Sequence, residues 1–499
     1  MKIVSLNGQL TFDEMKGSLE HLPKTNRWVK MGDALPWAEY EKVYNKRLKN
    51  DNVGASNKPG RLVIGALIIK HKLNLSDEET ILTIQENPYM QYMCGLTEYT
   101  DQPIFDPSLF VTIRKRITIE DINALTLELA RKSRQEQEKD KGNDRDNDDR
   151  GGQPTTTQPM DLKADATCAD AEMRFPTDID LVEDGSKYID RLANKVARAK
   201  GSPKPKMERG RIRKEYLTVI KRKHKGAKLI KGALGRMLPL LYRDILTLLN
   251  LIGVDDETYN GLNRTEKRTL RAVIDMYHQQ EQMHREGTHS CENRIVSIHQ
   301  PHVRPIVRGK AKAKVEFGAK IGVSMVSGYS FIDHHSWDAY NEGSDMDIHL
   351  SLFEKRFGSL PKRFLGDKIY LNRDNRATLK EKGIEIMGTQ LGRPPKNPSA
   401  EQLERERIGT SLRNQAEAQF GTAKRVYRAN NIRAKLPETA ECWTAMCYFV
   451  KNLTKFMGEL CRILTEIWSL VRHFCSDALN FTISSASSRH LHRTASLVV

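Results

Sequence analysis

The sequence predicts an α/β domain that follows an all-α domain and contains a basic helical insertion. Strand and helix patterns alternate after residue 303, which is typical of an α/β sheet. The first 130 residues carry helix start signals without a strand pattern. The length of 499 residues and an apolar content of 38% allow two or three domains, each with a core of its own.

The N-terminal domain, residues 1–130, has well-marked helix starts. Pro59 suits a first helical turn, Ser76 to Glu79 forms a capping box, and Asp106-Pro107 opens a third helix. These helices predict a helix-turn-helix-like DNA-binding domain, although a plain helical bundle fits the composition equally well. The cations near the end of the third helix are candidate DNA contacts: Arg114, Lys115 and Arg116.

Residues 131–160 are predicted to form a flexible linker. From 131 to 159 the chain has no aliphatic, aromatic, methionine or cysteine residue, so it cannot bury enough apolar surface to fold. The catalytic domain is expected over 161–475, and the Ser- and His-rich residues 476–499 are expected to form a loose tail.

The clearest strand covers 314–325, where six successive odd positions from Val315 to Met325 are apolar or small. Ser327-Gly328 is a turn signal, and Tyr329 to Ile332 can return as the hairpin partner. Further patterns predict a helix at 346–357 ended by Gly358, a strand at 363–366, a helix at 374–382 ended by Gly383, and a strand at 384–387.

Positive charge is concentrated in the insertion, about residues 180–290. The chain has a formal net charge of +17. Between Lys187 and Lys231 there are 17 Lys or Arg against three acidic residues. Such a block indicates a polyanionic partner such as nucleic acid, although a solvated helical face or a basic linker is the alternative. The densest candidates for DNA binding are Lys221, Arg222, Lys223 and Lys225.

The remaining composition indicates a cytoplasmic protein. The first six residues lead directly into polar residues, without the apolar region of a secretory signal. No uncharged apolar run reaches the roughly 18 residues of a membrane span. The most apolar segment carries one polar stripe, typical of an amphipathic helix, which consists of Lys451, Lys455, Glu459, Arg462 and Glu466. Seven scattered cysteines form no disulfide framework.

A carboxylate with a cation on either side lies near the C-terminus. Arg413, Glu417 and Lys424 share one helical face, which spans about 16 Å of helix axis. The cations could bind DNA phosphates and the carboxylate a metal ion. An ordinary ladder of ion pairs along the helix is the alternative.

This spacing, Arg, three residues, Glu, six residues, Lys, resembles the signature helix of DDE transposases in the insertion-sequence-four and insertion-sequence-five superfamilies. Asp165-Ala166-Thr167-Cys168 resembles the first catalytic strand of the family, and Phe364 to Tyr370 resembles its second acidic motif. The resemblance covers about 160–190 and 303–453, and the first 130 residues resemble the N-terminal helical domain of the five-type members. Thr410 stands where the family has a tyrosine upstream of the arginine.

The resemblance implies a ribonuclease H-like mixed sheet with Asp165, Asp367 and Glu417 as catalytic carboxylates. They would bind two Mg²⁺ ions, with Mn²⁺ as a substitute, and Arg413 and Lys424 would contact DNA phosphates. It also implies cleavage of the double-stranded DNA ends of a bacterial insertion sequence and their transfer to target DNA, by a homodimer on DNA in the bacterial cytoplasm, associated with the nucleoid.

Three alternatives stay open at this level. A decayed transposase could act as a DNA-binding regulator, and a metal-dependent nuclease could cleave without joining. A zinc site could use five residues whose spacing matches no closed zinc pattern, namely His284, His289, Cys291, His299 and His302.

Overall fold

A computed structural model describes residues 18–48, 57–142, 160–253, 256–307, 315–387, 399–463 and 465. All described elements before residue 143 are helices. They are α1 (Arg27–Ala34), α2 (Trp37–Asn45), α3 (Gly60–Leu73), α4 (Asp77–Glu86), α5 (Pro88–Met93), α6 (Leu109–Arg116) and α7 (Ile119–Gly142). The capping box of α4 is formed as predicted, because the Ser76 and Glu79 side chains each bind the other's backbone N–H.

Helix α7 extends well beyond the predicted end of the N-terminal domain. The linker prediction is therefore wrong for residues 131–142, and 143–159 lie outside the described residues. Long unbranched Arg, Lys, Glu and Gln side chains favour helix even without apolar neighbours. Tertiary contacts support the extension, since buried Ser133 donates a hydrogen bond to Glu459 at 2.9 Å.

A mixed sheet forms the centre of the catalytic part. Its strands are β1 (Asp161–Asp170), β2 (Arg304–Val307), β3 (Val315–Val326), β4 (Tyr329–Ser336), β5 (Arg363–Leu365) and β6 (Glu385–Met387). The order is β2-β3-β1-β5-β6, with β4 also paired to β3. Strand β3 is antiparallel to β1, β2 and β4, while β5 is parallel to β1 and to β6. This topology is consistent with the ribonuclease H-like sheet that the sequence predicts.

The β3–β4 hairpin follows from its turn residues. Ser327 and Gly328 both have positive φ, 51° and 80°, as a two-residue hairpin turn that matches strand twist requires. Two helices flank the strands that follow, α13 (Met346–Phe357) and α14 (Arg373–Glu381). Gly358 and Gly383, with φ of 76° and 67°, end them in the left-handed conformation.

Between β1 and β2 all described elements are helices. They are α8 (Asp178–Ala199), α9 (Arg209–Ile220), α10 (Ala227–Ile252), α11 (Asp256–Asn260) and α12 (Arg264–Glu286). Their apolar faces form a separate hydrophobic core, so this insertion packs as a unit of its own.

The N-terminal helices have no separate core. Trp28 and Leu129 belong to the same buried cluster as Phe331 of β4 and Phe449. The expectation that each domain has its own core is therefore wrong for residues 18–142, whose apolar faces cover the sheet.

Two helices complete the described chain. Helix α15 (Ala400–Arg425) packs against β1, β5 and β6, and α16 covers 437–463. In the described ranges, no helix is both long and apolar enough to cross a membrane. The predicted tail, 476–499, lies outside the described residues.

Candidate active site

Asp165 and Asp367 lie at matching levels of two neighbouring parallel strands. Lys163 of β1 pairs with Leu365 of β5, and two further residues along each chain are Asp165 and Asp367. Side chains two residues apart on a strand point to the same face, and neighbouring strands lie about 4.8 Å apart. Asp165 therefore lies within β1, and Asp367 lies at the corresponding position just beyond the end of β5.

Each aspartate is oriented by a similar local hydrogen bond. The N–H of Ala166 donates to Oδ1 of Asp165 at 2.7 Å, and the N–H of Lys368 donates to Oδ1 of Asp367 at 2.7 Å. Asp165 is half-buried in the sheet, whereas Asp367 is exposed. One oxygen of each carboxylate is thus held by the backbone, which fixes the direction of the other.

Glu417 comes from α15, which crosses the strands that carry the aspartates. Ala416, Phe420 and Ala423 are buried at helical spacing and form the face of α15 that packs inward. Glu417 follows Ala416 by about 100° of rotation, so it lies at the border of this face and is exposed. Among the described side chains its carboxylate has neither a hydrogen-bond nor an ion-pair partner, and Arg413, which the ion-pair ladder would need, is not among those side chains.

The two predicted phosphate ligands also lie on α15. Lys424 is half-buried near the far end of β1, and its charge acts on the Cys168 thiol. Arg413 is within α15, but its side chain is outside the part of the chain that the structure describes.

Two contacts near Asp165 were missed from the sequence because they join distant segments. Lys163, on the same face of β1, donates a hydrogen bond to Oε1 of Gln415 in α15 at 2.9 Å. The Tyr370 side chain is fully buried, and desolvation, with the charges of Glu342 and Asp165 nearby, raises its pKa. The Phe364 to Tyr370 motif could have indicated the tyrosine, whereas nothing in the sequence pairs Lys163 with Gln415.

Another set of possible metal ligands lies closer together than the three predicted carboxylates. In the described residues, Cys168, Asp170 and Glu316 have ligand atoms within 4.8 Å of one another, and the predicted triad forms no such group. Cys168 and Asp170 alternate with Asp165 along β1 and so lie on its other face. Burial, with the charges of Asp170 and Glu316, raises the pKa of the Cys168 thiol and disfavours the thiolate that metal binding requires.

The five residues of the alternative zinc site form no such group either within the described ranges. Nε2 of His284 lies 3.0 Å from the carbonyl oxygen of Lys231, and Nδ1 of His289 lies 3.7 Å from Asp178. The His302 ring packs edge-on against Trp337. These side chains therefore serve separate contacts.

The structure corrects one predicted DNA contact. Arg114 is only 5% exposed and forms two 2.7 Å hydrogen bonds with both carboxylate oxygens of Asp77. A guanidinium enclosed in this way cannot reach a DNA backbone, so the assignment of Arg114 to DNA is wrong. Lys115 and Arg116, at the end of α6, are exposed and stay candidates.

The basic block reaches solvent as a loop. Lys221, Arg222, Lys223 and Lys225 lie between α9 and α10, and every residue from 221 to 228 is exposed. Four cations within five residues, with no acidic residue among them, form a compact positive surface at one end of the insertion.

Comparisons with known proteins give two family matches. Residues 18–116 match a transposase domain (DUF772), and residues 364–454 match a transposase DDE domain. The second match includes Asp367 and all of α15. Members of DDE transposase families depend on divalent metal ions, which fits a site rich in carboxylates.

One curated relative is an uncharacterized protein, ORF8 in the nfe locus of Rhizobium meliloti, which is 31% identical over 97 residues. The match covers 19% of this chain and 46% of the relative, so the chain spans about half the length of the curated relative it matches. No solved structure matches the chain. The two matches, one over the N-terminal helices and one over the C-terminal part of the catalytic sheet and its helices, show that these two parts of the chain are similar to transposase domains, the second to a transposase DDE domain.

Proposed function

We propose that this transposase binds the inverted-repeat ends of an insertion sequence and catalyses DNA strand cleavage and strand transfer at Asp165, Asp367 and Glu417. The observation that supports the proposal best is the register of β1 with β5. It pairs Lys163 with Leu365, two positions before Asp165 and Asp367 respectively, and α15, which carries Glu417, packs against the same two strands.

The donor set suits Mg²⁺, which prefers carboxylate oxygens and keeps waters that a substrate can replace. Asp165, Asp367 and Glu417 would hold two such ions, and the chemistry supplied there would be activation of the attacking oxygen and stabilisation of the leaving oxygen. The protein's part is to orient the carboxylates, which it does through the N–H groups of Ala166 and Lys368. Mn²⁺, with similar ligand preferences, would substitute.

DNA binding is assigned to two other surfaces. The N-terminal helices, with Lys115 and Arg116 exposed, would recognise the transposon ends. The loop at 221–226 would bind the DNA phosphate backbone. Two ends must be held together for transfer, so we expect a homodimer on DNA, in the bacterial cytoplasm and at the nucleoid.

End-labelled duplexes that carry the inverted repeats of the element, incubated with protein and Mg²⁺, test the proposal. We expect nicked 3′ ends and products joined to a target plasmid, and chelation of the ion should remove both. Nicked but unjoined ends would instead indicate a nuclease. Bound but uncut ends would indicate a regulator without catalytic activity.

The basic loop gives a prediction that does not depend on catalysis. Changing Lys221, Arg222, Lys223 and Lys225 together to Gln should weaken binding to random-sequence duplex. The slope of log K against log salt should fall by about 0.9 for each phosphate that the loop no longer neutralises, or up to about 3.6 in all. Titration at several salt concentrations measures this slope. If the slope is unchanged, the loop faces away from DNA.

A further inference from the structure

A polar pocket adjoins the face of β1 that carries Asp165. It lies between the start of β1, the β3–β4 turn and helices α15 and α16. Its lining includes Asp161, Lys163, Gln415 and Lys455, with Ser327 and Gly328 of the turn at one side.

The ammonium group of Lys163 differs from the other charges of this pocket because no carboxylate of the described residues pairs with it. The side chain is half-buried, and its hydrogen-bond partner is the neutral amide oxygen of Gln415. No carboxylate of the described residues lies within ion-pair distance of it. An ionised group removed from water without an opposite charge is costly to the protein, so such a cation is suited to an anionic ligand.

The nearby carboxylates are already engaged with other cations. Arg363 holds Asp161 through two hydrogen bonds, of 2.7 and 2.5 Å. Glu459 binds Lys455 and also accepts a 2.6 Å hydrogen bond from the Tyr329 hydroxyl. The pocket therefore keeps an excess of positive charge at Lys163.

The position of Lys163 relates the pocket to the catalytic carboxylates. Lys163 lies two positions before Asp165 on the same face of β1, a separation of about 6.8 Å. Neighbouring phosphates of one DNA strand are separated by a distance of this order, because the backbone path between them is longer than the rise along the helix axis. A strand whose scissile phosphate lies at the aspartates can thus place another phosphate at Lys163.

We propose that this pocket binds a backbone phosphate of the DNA strand close to the bond that is cut, with Lys163 as its charged ligand. The inference rests on the proposed function, because it takes the strand to lie across Asp165 and Asp367. The three N–H donors of the lysine allow it to bind a phosphate oxygen while it keeps its bond to Gln415.

Binding of a random-sequence DNA duplex, without divalent ions, tests the contact apart from catalysis. Lys163→Met should lower affinity about tenfold at 0.1 M salt and reduce the salt slope by about 0.9. Lys163→Arg should keep the wild-type slope. The matched control is Lys382→Met, since Lys382 is an exposed lysine at the end of α14 and should leave the slope unchanged. A wild-type slope for Lys163→Met would overturn the proposal.

Plasmid nicking with Mg²⁺ then separates a phosphate contact from a role in holding α15. We expect Lys163→Met to raise KM for DNA and to leave kcat within about twofold of the wild type. A large loss of kcat with an unchanged salt slope would show that Lys163 only positions the helix that carries Glu417, and would contradict the phosphate site. If the wild type does not nick DNA at all, the proposed function fails, whereas the binding result still decides on the phosphate contact.

Discussion

Replacement of Glu417 by Gln is expected to abolish Mg²⁺-dependent cleavage and joining while DNA binding survives. The substitution keeps side-chain size but removes one charge from the proposed metal site. Loss of a charged group aimed at the reacting atoms costs about 100-fold or more in rate. Glu417 is exposed and makes no hydrogen bond or ion pair with the described side chains, so the variant should fold as the wild type does. Single-turnover cleavage and joining of labelled ends measure the effect.

Asp165→Asn and Asp367→Asn should cause losses of similar size, because each substitution removes one of the two carboxylates that follow the paired residues of β1 and β5. Asp374→Asn is the control, since Asp374 is exposed in the first turn of α14, where Asn372 is the cap. Lys424→Ala should be intermediate if it binds phosphate. Glu417→Gln that cleaves and joins at the wild-type rate would remove Glu417 from the site and most of the support for this mechanism.

Elements fixed by local pattern were predicted within a few residues. The alternation from Val315 to Met325 falls in β3, and the apolar spacing before Gly358 matches α13. In both cases the period of the side chains and the turn residue at the end carry the information. The match between Asp165 and Asp367 was reachable only through the family resemblance, because strand register joins residues about two hundred positions apart.

Long-range burial could not be predicted in this way. The polar stripe of α16 fits a solvent-facing helix, yet Lys451 is buried and donates a 2.7 Å hydrogen bond to Ser330 of β4. Desolvation lowers the pKa of Lys451 to about 7. In the same way, the sequence cannot show that the N-terminal helices share a core with the sheet. The spacing of apolar residues indicates which face of a helix is buried, but not which element covers that face.

The second large expected effect is on stability, and it concerns Arg114 in the last turn of α6. Arg114 binds Asp77 at the start of α4, and Lys70 of α3, which is 1% exposed, binds the same carboxylate at 2.9 Å. The ring of Trp443 in α16 lies 4.8 Å from the ammonium of Lys70 and 5.6 Å from the guanidinium of Arg114. Arg114 and Lys70 thus connect α3, α4 and α6 with α16, a helix of the catalytic part.

Arg114→Met should lower the free energy of unfolding by about 1.5–3 kcal/mol, because it removes the bidentate partner of half-buried Asp77, which keeps its ion pair with Lys70. Although burial favours the neutral acid, the hydrogen bonds and charges of Arg114 and Lys70 keep the pKa of Asp77 below its usual value. Lys115→Met, at the exposed neighbour, should change stability by no more than about 0.5 kcal/mol. Urea unfolding of both variants, with DNA titrations of the folded proteins, gives the measurement. If Arg114→Met keeps wild-type stability but loses DNA affinity, Arg114 acts on DNA and the buried network does not hold these helices together.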